Sequence, residues 1–300
     1  MKLFVIVGPT AVGKTDLSIQ LAKSLNGEII NGDAMQIYKG LDIGTAKITP
    51  TEMEGVVHHL LDEKMPDERY SVFEYQQKVR GKIAEIWARG KVAIVVGGTG
   101  LYIKAALYDY EFSEAPRKPS HAMDNLSNEA LHAKLRRLDD VAASQIHPNN
   151  RRRILRAIEI FETTKQTKTA TNEAQAHKLI MDACMIGLRD ERQALYGRIN
   201  ARVDRLVAVG LIDEVRRLYD SGVPRDAQSI AAIGYKELYA HFDGEIDLET
   251  AIMRIKTNSR RLAKRQYTWF NNQMDVTWFD VNVAQFDQTV AQVLDFCKQL

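Results

Sequence analysis

One octapeptide, Gly8-Pro9-Thr10-Ala11-Val12-Gly13-Lys14-Thr15, constrains this chain more than any other feature. It has the spacing G-x-x-x-x-G-K-[ST]. Ahead of it, Leu3-Phe4-Val5-Ile6-Val7 is an unbroken, largely β-branched apolar run, the pattern of a buried strand. Behind it, apolar residues at 17, 19, 21, 22 and 25 recur at helical spacing. A strand, a glycine loop and a helix in that order form the context of a P-loop. The glycines let successive backbone N–H groups curl around a phosphate, and the helix turns its positive end toward it. Lys14 adds a point charge and Thr15 a hydroxyl for Mg²⁺. The element reads as a diphosphate site and does not by itself specify ATP.

The rest of the chain extends this pattern. A short strand at 28–31 ends at Gly32-Asp33. The spacing predicts a helix over 72–88 with Gly81 as its weak point, a third buried strand over 91–96 closed by Gly97-Gly98-Thr99-Gly100, and a helix over 101–107. Strands alternating with helices argue for a parallel sheet covered on both faces. Pro116 and Pro119 break the pattern. Residues 128–164 read as helical, interrupted by His147-Pro148-Asn149-Asn150, and 179–187 as a strand. Helices follow over 196–208, 211–221, 233–242 and 248–270, with a last strand at 276–280. The expected fold is therefore α/β: a P-loop NTPase-like core of residues 1–115 and 178–300, a helical insertion domain at 116–177, and a mostly helical C-terminal third.

Composition narrows the class. Hydrophobic residues at 45% and charged residues at 27% are ordinary globular values, which excludes a disordered or fibrous chain. The two cysteines, Cys184 and Cys297, cannot build a disulfide framework or a four-thiolate zinc site, so a reducing, cytoplasmic setting is expected. No apolar run approaches the ~20 residues of a membrane span, and 3–7 is too short for a secretory signal. Charge is informative in its layout. Residues 1–110 carry 13 basic and 13 acidic side chains, net zero, whereas 134–168 carries nine basic and four acidic, net +5. From Arg254 to Arg265 there are six basic residues and no acid. A neutral chemistry module followed by two basic blocks suits a polyanion partner; two solvated helix faces are the plain alternative. Asp33, at the end of the second strand, lies where open α/β sheets place ligands. It could hold Mg²⁺, act as a base on an acceptor, or simply cap a turn. His58-His59 is a weak metal signal, because adjacent side chains point apart, and packing or capping is the expected role.

Several motifs stand out together along the chain. They are the P-loop; Asp33-Ala34-Met35-Gln36-Ile37-Tyr38 with Gly40-Leu41-Asp42-Ile43-Gly44-Thr45-Ala46-Lys47; His58-His59-Leu60; Tyr70-Ser71-Val72; and Val96-Gly97-Gly98-Thr99-Gly100-Leu101-Tyr102. Further along come Ile146-His147-Pro148-Asn149, Arg153 and Arg156-Ala157; Arg198-Ile199-Asn200-Ala201-Arg202-Val203-Asp204; Ile233-Gly234-Tyr235-Lys236-Glu237; and Arg261-Leu262-Ala263-Lys264-Arg265-Gln266. In kind, order and spacing, over about 260 residues, they resemble the tRNA dimethylallyltransferase (tRNA isopentenyltransferase, IPP transferase) family, in its bacterial form. The chain departs from the family pattern at Asn150, usually Asp, and at Lys165, usually Gly.

The resemblance implies transfer of a dimethylallyl group from its diphosphate to N6 of adenosine 37, beside the anticodon, in tRNAs reading codons that start with U. It implies Mg²⁺ on Thr15, catalysis by Asp33, Thr10, Lys14, Thr99 and Arg202, and diphosphate or nucleotide binding by Gly8, Pro9, Thr10, Ala11, Val12, Gly13, Lys14, Thr15 and Arg198. Contacts to tRNA are expected from Asp33, Ala34, Met35, Gln36, Thr99, Arg117, Arg152, Arg153, Arg156, Gly234, Tyr235, Lys236, Arg261 and Arg265, with Arg151, Arg254 and Lys264 in the same basic clusters. A cytoplasmic monomer is expected. For Arg198 and Arg202 the alternative is a surface ion pair with Asp204 or Glu214; for Met35 and Tyr38 it is core packing. Competing functions are prenylation of free adenylate, a small-molecule P-loop kinase, and a non-enzymatic RNA-binding protein.

Overall fold

The computed structural model describes residues 2–110, 123, 125–174 and 178–299. The chain forms two compact units, Met1–Leu107 with Met181–Leu300, and Tyr108–Ile180.

The larger unit is built on six strands. β1 (Leu3–Val7), β2 (Gly27–Asn31), β3 (His58–His59), β4 (Val92–Val96), β5 (Ala183–Arg189) and β6 (Thr277–Asp280) lie in the order β3-β2-β4-β1-β5-β6. Every pairing is parallel, with Leu3 opposite Ala93 on one side and Ala183 on the other. All strand C-termini therefore share one edge, and chain order reverses direction at β1, the switch point where such sheets bind ligands. α1 (Lys14–Leu25), α2 (Val72–Ala88) and α3 (Gly100–Leu107) follow the first strands. α8 (Arg192–Ala208), α9 (Leu211–Asp220), α10 (Tyr235–Phe242), α11 (Leu248–Gln273) and α12 (Phe286–Gln299) make up most of the C-terminal part. Phe4, Ile6, Ile29, Ile94 and Ile186 form one core with Leu17 and Leu21 of α1 and Val290 and Val293 of α12. Leu3, Val5 and Val7, pointing the opposite way, are equally buried. β1 is apolar at every position because both faces are covered.

Several details differ from the sequence reading: the helix expected over 196–208 starts at Arg192, the one over 233–242 starts at Tyr235, and the stretch 128–164 is broken also at Asp139. The strand expected at 179–187 begins at Ala183, and Leu179 and Ile180 are exposed. The long helix continues past 270 to Gln273. α12 was not anticipated: its apolar residues 290, 293 and 297 are buried, a helical spacing. No helix among the described residues is long and apolar enough to cross a membrane.

The smaller unit holds α4 (Asn128–Leu138), α5 (Asp140–Gln145), α6 (Arg151–Thr164) and α7 (Lys168–Ala174). Leu131, Leu135, Ile146, Ile154 and Ile158 form its own core. Asn150 caps α6 through its side chain to the Arg153 N–H, 3.3 Å away, a task Asp performs equally well. Lys165 ends α6 in the left-handed region at φ 59°, where a glycine would sit at lower cost. Both departures from the family pattern thus occupy helix ends. Asp139 caps α5 and also accepts hydrogen bonds from the Thr169 N–H (2.9 Å) and hydroxyl (2.6 Å).

Candidate active site

The site is assembled at the C-terminal edge of β1, β2, β4 and β5. After β1 the loop turns at Gly8 (φ 144°), where a Cβ would lie 2.6 Å from the Leu188 carbonyl oxygen. At Gly13 (φ 99°) a Cβ would meet the Phe286 ring at 2.7 Å. Only glycine fits these two positions. No side chain caps the N-terminus of α1, so its first N–H groups are left for a ligand. Lys14 folds its ammonium into the loop, donating to the carbonyls of Gly8 (3.1 Å) and Pro9 (2.6 Å). Burial and the charge of Arg202 pull its pKa down to about 7, with Asp33 acting in the opposite sense.

The loop after β2 is fixed by the buried Asn31. Its amide nitrogen donates to the Asp33 and Leu60 carbonyls, both at 3.0 Å, and its oxygen accepts the Asp33 N–H at 2.9 Å. Asp33 Oδ1 accepts the Met35 N–H at 2.8 Å. The aspartate is thus a turn former; its Oδ2 accepts no hydrogen bond among the described residues and remains available. After β4, the Thr99 hydroxyl accepts the Ala34 N–H at 3.0 Å and the Thr99 N–H reaches the Gly32 carbonyl at 3.3 Å. A Cβ on Gly97 would sit 2.2 Å from the Gly32 backbone, so the two strand ends touch directly.

After β5, Asp190 forms an ion pair with Arg198 of α8. Arg198 Nε donates to the Ala11 carbonyl at 3.1 Å, while its Nη2 is buried without a hydrogen-bond partner. A buried guanidinium nitrogen with no acceptor, next to a P-loop, matches an absent anion. Arg202, one turn on, is half-buried; burial lowers its pKa, opposed by Asp33. Lys14, Arg202 and Asp33 therefore feel one another's charge. The alternative ion pairs are not formed: Asp204 pairs with Lys256 at 2.5 Å, and Glu214 is occupied elsewhere. Thr15 is exposed with no partner for its hydroxyl, and no group of three His, Cys, Asp or Glu among the described residues can hold a metal. The donor set therefore suits Mg²⁺ only as an ion shared between Thr15 and substrate phosphate oxygens.

A family model described as IPP transferase matches residues 36–273. A curated tRNA dimethylallyltransferase of Anoxybacillus flavithermus is 53% identical, covering 99% of this chain and 96% of the relative. The chain belongs to the IPP transferase family. A Bacillus subtilis tRNA dimethylallyltransferase is 56% identical over 92% of this chain and 90% of its own length. Among solved structures, a full-length tRNA isopentenylpyrophosphate transferase from Bacillus halodurans matches with TM-score 0.76 at 47% identity, covering 99% of this chain and 96% of that one. A eukaryotic dimethylallyltransferase described as acting on tRNA matches with TM-score 0.87 at 30% identity, covering 100% and 80%. A P-loop-like fold and a prenyltransferase assignment follow from this membership.

The remaining candidates fall into distinct environments. Ala34 and Met35 are half-buried beside Asp33. Gln36 donates its amide to the Thr45 carbonyl at 3.2 Å, bracing the next loop. Tyr38 is wholly buried, which is the core-packing alternative. Tyr235 corrects an expectation: its side chain is 0% exposed and its hydroxyl donates to Glu214 at 2.5 Å, so it is a strut and not an RNA-facing group. Glu214 also accepts the N–H groups of Asp42, Ile43 and Gly44. Gly234 is likewise buried, its N–H on Glu237, while Lys236 is exposed. On α6, Arg152 and Arg153 are exposed and Arg156 pairs with Glu159 at 2.9 Å. Arg151 is tied to the Leu126 and Met123 carbonyls. On α11, Arg254 is exposed, and Arg261, Lys264 and Arg265 line an open groove of about 570 Å³ with Trp269 and Asn272. Arg117 lies outside the described residues. His59 bonds Glu28 at 2.7 Å and His58 the Val56 carbonyl at 2.9 Å.

Sequence reasoning missed Asp190, Asn31 and Gln266, and assigned Glu214 the wrong partner. The last two signals were present: Gln266 ends the Arg261–Gln266 motif, and Glu214 precedes a valine that is buried with it. Neither announces a long-range partner.

Proposed function

We propose that this chain transfers a dimethylallyl group from dimethylallyl diphosphate to N6 of adenosine 37 in tRNA, next to the anticodon, in tRNAs reading codons that start with U. It would do so in the cytoplasm, as a monomer. The observation that carries the reading is Asp33, with one carboxylate oxygen open, within the electrostatic reach of Lys14 and Arg202 at the mouth of a P-loop. An anion cradle beside a fixed carboxylate is what displacement of a diphosphate by a weak nucleophile requires.

The cradle binds the leaving group. The N–H groups at the start of α1, Lys14, Arg202 and the unpartnered Nη2 of Arg198 stabilise charge as the allylic C–O bond breaks. Mg²⁺, when bound by Thr15 and the diphosphate, supplies further charge neutralisation. On the other side, Asp33 Oδ2 accepts a hydrogen bond from the adenine amine and takes its proton as the N–C bond forms. An exocyclic adenine amine is a poor nucleophile, so much of the gain lies in orientation. Thr99 holds the Asp33 loop through Ala34, and Thr10 would add a hydroxyl to the cradle from the P-loop. The base must leave the anticodon-loop stack to enter, at a cost of a few kcal/mol. Phosphate contacts from exposed arginines, Arg152, Arg153, Arg261 and Arg265, offset that cost.

The deciding experiment is incubation with radiolabelled dimethylallyl diphosphate and an unmodified tRNA carrying adenines at positions 36 and 37, beside AMP as the competing acceptor. Label is expected in the tRNA alone. Label in AMP alone, or none in either, would overturn the reading.

A further inference from the structure

Gln266 lies in the inner turn of α11, 8% exposed, with both ends of its amide in use. Its Oε1 accepts the Thr10 N–H of the P-loop at 3.1 Å. Its Nε2 donates to the Gly98 carbonyl at 3.1 Å. The two partners fix the amide's orientation, since a flipped group would set donor against donor and acceptor against acceptor. A Cβ on Gly98 would lie 2.2 Å from Nε2, so that glycine leaves the space the amide fills. Gly98 adjoins Thr99, whose hydroxyl holds Ala34, the residue after Asp33. A continuous hydrogen-bonded path therefore runs from the P-loop through Gln266, Gly98-Thr99 and Ala34 to Asp33.

We propose that Gln266 is a positioning residue that sets the distance between the diphosphate cradle and Asp33. The inference rests on the function proposed above. With both ends of its amide taken by backbone groups, Gln266 would act through the two loops it joins and not on the reacting atoms. Misplacement by about 1 Å can cost ~100-fold in rate, and one buried amide spanning two loops is placed to prevent it. The two loops leave different strands, β1 and β4, and Gln266 reaches both from a third element, α11.

Two variants test it. Gln266→Ala removes both hydrogen bonds and leaves a buried N–H and C=O unpaired. Gln266→Glu keeps an acceptor for Thr10 but sets a carboxylate oxygen against the Gly98 carbonyl. Only its protonated form can donate there, and such a site raises a carboxyl pKa. For Gln266→Ala we expect kcat to fall about 10- to 100-fold, with KM for tRNA within about two-fold and the dissociation constant of inorganic diphosphate raised about ten-fold. For Gln266→Glu we expect a similar loss relative to wild type at pH 8, and a ratio to wild type measured at the same pH that recovers as the pH is lowered to 6. A purely structural role predicts equal losses at both pH values, tracking the folded fraction seen by circular dichroism. That result, or diphosphate affinity within two-fold of wild type in both variants, would overturn the inference. Wild type that binds diphosphate but transfers nothing to tRNA would count against the proposed function alone, because the diphosphate arm still decides the role of Gln266.

Discussion

The mouth of β1 and the outer side of α11 both collect positive charge, by opposite means. At the mouth, Lys14 and Arg198 are pinned by the P-loop carbonyls and Asp190, and burial depresses the pKa of Lys14. On α11, Arg261, Lys264 and Arg265 stand exposed without an ion pair among the described residues. The first arrangement holds charges in geometry at a desolvation cost that a bound anion offsets. The second keeps its charges hydrated and adds affinity that salt screens. Chemistry should therefore be lost from the first region without loss of RNA binding, and RNA binding from the second without loss of chemistry.

The sharpest break in that contrast is Asp33→Ala. Turnover is expected to fall at least ~100-fold, as removal of a general base commonly does, with tRNA affinity in filter binding within about two-fold of wild type. Unimpaired turnover would remove the carboxylate from the mechanism. Next in size is Gly97→Ala. Its methyl would enter the Gly32 backbone, contacts at 2.2 Å that no rotamer relieves. A stability loss of about 3 kcal/mol in urea titrations is expected, the upper part of the overpacking range. Gly81→Ala is the internal control: nothing lies within 4 Å of its Cβ position in mid-α2, so a gain of about 0.5–1 kcal/mol is expected.

The exposed region gives smaller effects that depend on ionic strength. If about six phosphates are neutralised, log K against log salt should slope near −4 to −5. Arg261→Ala and Arg265→Ala should each reduce that slope by about one, with single-turnover rates at saturating tRNA unchanged. A slope that stays the same would move the RNA off α11. Arg156→Ala should change it least of the arginines named, since that side chain already has Glu159.

How far the residues themselves revealed this architecture follows the same division. The P-loop, β1, β4 and the amphipathic helices were legible because local spacing dictates them. Asp33 was legible as a strand-end carboxylate. Gln266, Asp190 and Glu214 were not, because their partners lie 168 to 256, 8 and 170 to 172 residues away and no local pattern encodes the meeting. Asp190 is the instructive exception at short range: it follows β5 directly, but the apolar run at 179–187 starts and stops ahead of the strand, which left the aspartate without a structural position. Tyr235 was misread for the converse reason. A motif tyrosine looks the same whether its hydroxyl faces RNA or a buried Glu214, and only its total burial separates the two.

Lys14 gives the finest test of what separates the built cradle from the solvated surface. Its folded-state pKa of about 7 lies below the ordinary 10.5, because burial and Arg202 disfavour the ammonium more than Asp33 supports it. The sign is that of a penalty on the charged form: it weighs fully on stability below pH 7 and is relieved as the pH rises toward 10.5. A bound diphosphate reverses the balance and raises the pKa. Binding of an organic diphosphate, whose last ionisation like that of a phosphate ester lies near pH 6, should therefore take up close to one proton at pH 8, on Lys14; at pH 6 Lys14 is already charged and the half-protonated diphosphate gives up its proton to the cationic site, so uptake gives way to release of about half a proton. Calorimetry in two buffers of different ionisation heat reads that number directly. Affinity should weaken as the pH rises through 7. Lys14→Arg keeps a charge that does not titrate in this range, so proton uptake at pH 8 should vanish in that variant. Equal uptake by both proteins would assign the proton to another group and leave Lys14 charged throughout.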